Sequence, residues 1–317
     1  MSLIGTRCRQ RFSLLPALAV FLLGSLHLAS AQEIEPREFV PAPAGTNINL
    51  VYYIHGSDTS FYNTSGHKIP NSNLDVNLGL ERFVHYFNVG GMPAGVQVLQ
   101  IFGSESGGRV GGSNIGSSFG AGNTALSAFI WPYANPQANQ YLVLASFLYP
   151  PVGSFDKNRG VNLAGALSSW QGWTGDLQIG WDHAIGDHFS YDASADVRFF
   201  GDTTGPIQPG VPLSVRSHKN TDLRLQLWLN WAWNKAFTTS IGYEGFLFGE
   251  TSFDNPLALG GRGHTSTGAS TEHRLRAAAS MFLSPQTQIL LEANHDIDRT
   301  GGFKQNFGLT ARFLYIF

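Results

Sequence analysis

The chain has 317 residues, 43% hydrophobic, 13% aromatic and 13% charged, with 37 glycines and a formal net charge of −2. Its charged fraction is about half the roughly 25% usual for soluble domains, and beyond the N-terminus no apolar run approaches the about 20 residues of a membrane helix. A polytopic helical membrane protein, a disordered chain and a basic nucleic-acid binder are thereby excluded. What remains is an all-β protein, either a secreted sandwich or a membrane barrel.

Residues 1–31 are expected to be a cleaved signal peptide. Arg7, Arg9 and Arg11 precede an apolar stretch from Leu14 to Leu28, and Ala29-Ser30-Ala31 supplies the small-residue cleavage site. Cys8, the single cysteine, leaves with it, and loss of the three arginines takes the net charge from −2 to −5. An exported chain without disulfides must be stabilised by core size or by a membrane. The next segment, 32–45, contains Pro36, Pro41 and Pro43. Proline donates nothing to a ladder, so this segment is expected in the periplasm or plugging the lumen from below.

From residue 46 to 317 the dominant pattern has period two, the signature of strands. The clearest case is Thr221 to Asn234, where Leu223, Leu225, Leu227, Leu229, Trp231 and Trp233 alternate with Arg224, Gln226, Trp228 and Asn230. About twelve residues is long for a soluble strand and matches a tilted crossing of an outer membrane. Twelve strands are predicted, at about 46–55, 73–84, 96–102, 123–132, 140–149, 169–182, 188–200, 221–234, 238–249, 271–283, 287–297 and 304–317. An even count closes a transmembrane antiparallel β-barrel with both termini periplasmic.

The connections point the same way. Those after odd strands are long and rich in Gly, Ser, Asn and Pro (56–72, 103–122, 150–168, 201–220, 250–270), with 298–303 short. Those after even strands are short (133–139, 183–187, 235–237, 284–286), with 85–95 the exception. Long outer loops and short periplasmic turns are the asymmetry of outer-membrane barrels. An aromatic girdle is expected at the turn end, including Trp131, Tyr133, Tyr141, Trp181, Trp231, Trp233, Phe313, Tyr315 and Phe317.

The stretch EFVPAPAGTNINLVYYIHG from Glu38, LDVNLGL up to Leu80, and the block 120–171 carry a resemblance to a family. In the block the shared features are Trp131-Pro132-Tyr133, Asn135-Pro136, Pro151, Gly153, Asp156, Arg159 and Asn162. Together they resemble the family named for the meta-pathway of phenol degradation, outer-membrane transporters often encoded beside aromatic-catabolism enzymes. Gly122-Asn123 replaces that family's Gly-Asp, and Ser168-Ser169-Trp170 its Asn-Arg-Trp. The resemblance implies a barrel in the bacterial outer membrane. A terminal strand ending on Phe317 is the form that barrel-assembly machinery recognises in such proteins.

No catalytic motif survives its context. Gly116-Ser117-Ser118-Phe119-Gly120 matches a nucleophile elbow but lacks the helix that the elbow opens. Asp182-His183 and Asp187-His188 bracket a turn and read as solvated. No cofactor, metal or catalytic group is expected, and the chain is read as no enzyme. If apolar faces meet lipid, the lumen receives Asp75, Glu81, Asp176, Asp192, Asp196, Arg198, Arg224, Glu244, Arg274, Arg276, Glu292 and Arg312. Mid-depth charges facing lipid would cost a few kcal/mol each. These residues serve either as a structural ladder or as a selecting field. The expected function is passive uptake of small, mostly hydrophobic or aromatic compounds. The alternatives are a general small-solute porin, a structural barrel, and an outer-membrane hydrolase. The expected partners are membrane lipid and the solute itself.

Overall fold

The computed structural model describes residues 33–154, 170–206, 214–254 and 265–317. The expected signal peptide, together with Asp156, Arg159, Asn162, Ser168 and Ser169, lies outside them. Twelve strands form the wall: β1 (Asn47–Tyr62), β2 (Asn73–Val89), β3 (Met92–Val110), β4 (Ala125–Asn135), β5 (Gln140–Tyr149), β6 (Thr174–Ile185), β7 (Phe189–Phe200), β8 (Asp222–Ala232), β9 (Phe237–Phe248), β10 (Ser270–Ser284), β11 (Thr287–Thr300) and β12 (Gly302–Ile316). Each pairs antiparallel with its neighbours in sequence, and β1 closes on β12 from Ile48↔Ile316 to Tyr62↔Gly302. Closure removes the unpaired sheet edges that would otherwise invite aggregation. The predicted all-β, twelve-stranded antiparallel barrel is the observed one.

Two connections are tighter than expected. The segment 85–95 reads as a loop because Gly90, Gly91, Pro93 and Gly95 interrupt the alternation. The ladder nevertheless continues to Val89↔Met92, leaving a two-residue turn. Gly90 and Gly91 take φ of +57° and +84°, the left-handed pair that a twisted two-residue hairpin requires and that side chains oppose. With that turn, the rule of short connections after even strands has no exception. At the opposite end, β11 and β12 are joined through Gly301 alone.

The loop end is more ordered than its composition suggests. The tip of β3 folds back on a strand at Ser113–Ala121, which contains the apparent nucleophile elbow. Four short strands, Thr203–Pro206, Ser214–Lys219, Thr251–Asp254 and Thr265–Ser266, make a second antiparallel sheet from the connections after β7 and β9. Each is too short for period two to stand out above a Gly/Ser-rich background.

Leu223, Leu225, Leu227, Leu229 and Trp231 lie exposed on the outer face of β8, with Trp233 exposed just beyond its end, the arrangement that lipid solvates. Tyr133, Phe313, Tyr315 and Phe317 join Trp231 and Trp233 as exposed rings toward the turn end. Trp131 and Tyr141 do not belong to that girdle. Both are buried inside the barrel, since β4 and β5 turn those positions inward. The largest apolar cluster of the molecule lies within the lumen.

Candidate functional site

Alternate residues of each strand face inward, so the lumen is written by one half of the wall residues. On β6 to β12 that half is charged. The register places opposite charges side by side: Asp176 beside Arg198, Asp196 beside Arg224, and Glu244 beside Arg274. Arg224 reaches Asp196 at 3.2 Å and Glu244 at 3.6 Å. Arg274 reaches Asp296 at 2.7 Å, Glu272 at 2.8 Å and Glu244 at 3.8 Å. Arg276 grips Glu292 with two nitrogens at 2.8 and 2.9 Å, and its guanidinium carbon lies 4.6 Å from the Trp228 ring centroid. Forked guanidinium–carboxylate pairs have the geometry that best offsets the cost of removing both charges from water.

On β1 to β5 the inward face is apolar. It presents Ile48, Leu50, Tyr52, Leu74, Leu78, Leu80 and Val84, then Leu99, Ile101, Phe129, Trp131, Tyr141, Val143 and Phe147. Polar groups interrupt it at Arg82, Gln97 and Ser127 and, nearer the loop end, at Asp58, Ser60 and Glu105. Arg82 is held by Gln97 Oε1 at 2.6 Å and by Glu38 at 2.5 Å.

Residues 33–45 run up this lumen from the turn end. Thr46 and Gly45 are tied to Tyr86 by backbone hydrogen bonds there. Each acid of the segment meets an arginine of the wall: Glu33 meets Arg274 and Arg276 (3.7 and 3.6 Å), Glu35 meets Arg312 (3.8 Å), and Glu38 meets Arg82. The main chain is held as well. Trp228 Nε1 donates to the Ile34 carbonyl at 2.9 Å, Trp131 Nε1 to the Phe39 carbonyl at 2.8 Å, and the Ile34 amide to Gln226 Oε1 at 3.1 Å. Arg37 adopts φ +64°, a left-handed conformation costing a side-chain-bearing residue about 1–2 kcal/mol. That bend lets its amide donate to Asp192 at 3.0 Å and its guanidinium to Asp182 at 2.8 Å. Ile34 and Phe39 join the apolar cluster. Gly180 makes room for the Phe39 ring, because a Cβ there would sit 2.4 Å from it. Burial raises the Glu35 carboxyl to about 7, with Arg312 opposing and Glu292 adding to the rise.

Of the lumen candidates, Asp176, Asp192, Asp196, Arg198, Arg224, Glu244, Arg274, Arg276, Glu292 and Arg312 point inward, and most belong to the network above. Asp75 and Glu81 do not. Both are exposed on the outer face of β2, where Asp75 accepts from Ser57 Oγ at 3.2 Å and Glu81 lies 3.5 Å from Asn49 Nδ2. The reason is that Leu78 and Leu80 serve the apolar lumen cluster, and Leu74 a smaller one with Phe61 and Phe303, rather than lipid, so their strand neighbours face outward. Asp182 and His183 likewise point to opposite sides: Asp182 is buried against Arg37, and His183 meets Gln140 on the outer face. Asp182, read from the sequence as solvated, is fully buried and faces inward, as do the buried Glu272, Arg82 and Arg299, which the sequence reading passed over.

Residues 58–313 match the family model described as "Putative MetA-pathway of phenol degradation". A solved structure, the COG4313 outer membrane channel from Pseudomonas putida F1, is 23% identical with a TM-score of 0.79. The match covers 90% of this chain and all of that one. A TodX monoaromatic hydrocarbon channel mutant is 10% identical with a TM-score of 0.45, over 93% of this chain and 94% of that one. No curated protein sequence matches the chain. The likeness to the Pseudomonas channel is one of fold.

Proposed function

Because the chain belongs to the phenol-degradation family, we propose that it is an outer-membrane channel for passive uptake of small, mostly apolar or aromatic compounds. The observation that carries this reading is the divided lumen, one wall apolar and aromatic, the other a network of paired charges, with residues 33–45 between them. Concave sites with broad apolar walls and sparse polar anchors suit small apolar ligands. A twelve-stranded lumen is also narrower than that of a sixteen-stranded porin, and here it is narrowed further by Ile34, Trp228 and Arg276. That argues against bulk diffusion of sugars.

In this reading the loop end faces outward and the turn end faces the periplasm. Residues 1–31 are removed on export, residues 32–45 form a separate lumen segment, and Phe317 closes the strand offered to the assembly machinery. The inward ladder from Asp176 to Arg312 stiffens one wall and sets the field that a solute meets. The chain makes and breaks no bonds. The test is uptake and growth on limiting phenolic, benzoate-like or alkylaromatic substrates in a deletion strain. Reduced uptake restored by the intact chain is expected. Unchanged uptake of all of them, with ordinary liposome swelling in sugars, would favour a general pore.

A further inference from the structure

Above residues 33–45, toward the loop end, lies a cavity whose charges do not balance. Six carboxyl groups line it and two guanidinium groups answer them. Arg274 takes up four of the six, Asp296, Glu272, Glu33 and Glu244, at 2.7 to 3.8 Å. Arg299, the second guanidinium, is joined to Glu272 again. Asp58 on β1 and Glu105 on β3 are left over.

Neither forms an ion pair among the described residues, and both are withdrawn from water, at 9% and 3% exposure. Glu105 accepts one hydrogen bond, from Ser118 Oγ to Oε2 at 3.2 Å, while its Oε1 is buried without a partner. Asp58 stands at a bulge, where the β1–β12 register shifts on both sides of it. Its pairing with β2 stays regular as far as Asp58↔Leu74, so the side chain keeps the inward phase of Ile48, Leu50 and Tyr52. Between these carboxyls the cavity wall is hydrocarbon: Ile54, Leu74, Val76 and Leu78, with the Phe303 ring beside them.

A buried carboxyl without a counter-charge is costly, and a bound cation offsets that cost. An apolar floor beneath two such groups accepts a ligand with an apolar body and a positive end. We infer that this cavity is a binding site for compact organic cations, primary ammonium groups carried on an aromatic or short alkyl body. The ammonium would lie between Asp58 and Glu105 and the body against Leu74, Val76 and Phe303. This rests on the reading of the lumen as a solute path and names the class of solute it prefers.

The test is isothermal titration of the full-length, detergent-solubilised barrel with benzylammonium, benzyl alcohol and benzoate, three probes of one size and three charges. Benzylammonium is expected to bind at least roughly tenfold more tightly than either of the others and to lose affinity as salt is raised. In the D58N/E105Q double variant this preference is expected to vanish while benzyl alcohol binds as before. Glu105→Gln alone keeps the Ser118 contact and serves if the double variant folds poorly. Equal or tighter binding of benzoate, or an undiminished preference in both variants, would overturn the inference. Proteoliposome uptake of the three probes, measured against protein-free liposomes, separates the two readings. Uptake without ammonium preference defeats this site alone, whereas exclusion of all three probes defeats the aromatic path and the site with it.

Discussion

The two sides of this barrel wall meet the same outer medium and opposite inner ones. On β6 to β12, apolar side chains face out and charges face in, the division expected of a membrane barrel. On β1 to β5 the inner face is apolar as well, and polar groups such as Asn49, His55, Asn77 and Glu81 stand on the outside. The difference lies in what each side packs against. Ile34 and Phe39 join the apolar cluster, while Glu33, Glu35 and Arg37 of the same short segment bind the charged side. An amphipathic strand therefore does not show which face meets lipid when the lumen is itself partly a hydrophobic core.

The largest effect should come from removing the element that joins the two sides. Deleting residues 33–45 releases all its ion pairs and vacates the ring site above Gly180. Planar-bilayer conductance should rise several-fold over the intact chain, with the barrel still resistant to detergent. An unchanged conductance would mean that the segment does not limit the path. Gly180→Val, which drives a side chain into the Phe39 ring, should reproduce part of that increase without any deletion.

The two sides should also fail by different mechanisms. Arg276→Ala leaves Glu292 buried without its forked partner, and breaking such a pair costs about 3–5 kcal/mol. Leu78→Ala on the apolar side leaves a cavity, at about 2–5 kcal/mol. Single variants thus look alike in the heat-induced gel shift of the folded barrel, and the second substitution separates them. Replacing Glu292 by Leu in an Arg276→Leu background should recover most of the loss, because removing both charges is far cheaper than stranding one. No polar change near Leu78 should rescue its cavity.

Much of this architecture was legible in the chain. Period two, alternating loop lengths and terminal aromatics are enough for twelve antiparallel strands, because they follow from the pleat and from hairpin connectivity rather than from any one contact. Inward placement on β6 to β12 was legible for the same reason: one face there is charged and the other plainly apolar. It failed on β1 and β2, where both faces are mixed, yet one signal was present. Any phase that sends Leu74, Leu78 and Leu80 to lipid also sends Arg82 there, and an arginine at that depth is the costlier error. Asp58 and Glu105 were not legible, because both lie past the predicted strand ends, in the stretches 56–72 and 103–122 that read as loops, although each keeps the inward phase of its strand. The partners of residues 33–45 were likewise out of reach, since ion pairs as distant in sequence as Glu35 with Arg312 leave no local pattern.

Acid should tighten the joint between the two sides. Glu35, ordinarily at 4.5, is raised by burial to about 7 where it faces Arg312, Arg276, Glu292 and Glu38. The docked segment therefore holds this proton more tightly than a released one. Docking is fully favoured below about pH 4.5, weakens as pH climbs toward 7, and changes little above it. At one pKa unit per 1.36 kcal/mol the swing is about 3 kcal/mol. Proteolytic nicking of residues 33–45 should increase from pH 5 to pH 7.5 and stay flat in Glu35→Gln. An increase toward acid instead would give the group the opposite sign.

The smallest effect concerns the outer face of the apolar side. Glu81 stands on β2 among Val51, Phe83 and Val98, with the Asn49 amide 3.5 Å away as its hydrogen-bonding neighbour. A carboxyl facing lipid is penalised, though less than an arginine or lysine, and Asn49 offsets part of that penalty. Glu81→Leu should therefore stabilise the barrel by roughly 1 kcal/mol, seen as a small rise in the heat-shift midpoint, and should leave conductance untouched. Arg312→Leu, the control on the opposite face of the wall, should instead destabilise, since it strips Glu35 of its cation. If Glu81→Leu also destabilised strongly, its carboxyl would be holding a partner on that face. The polar patch of β1 and β2 would then be a surface for protein rather than for lipid.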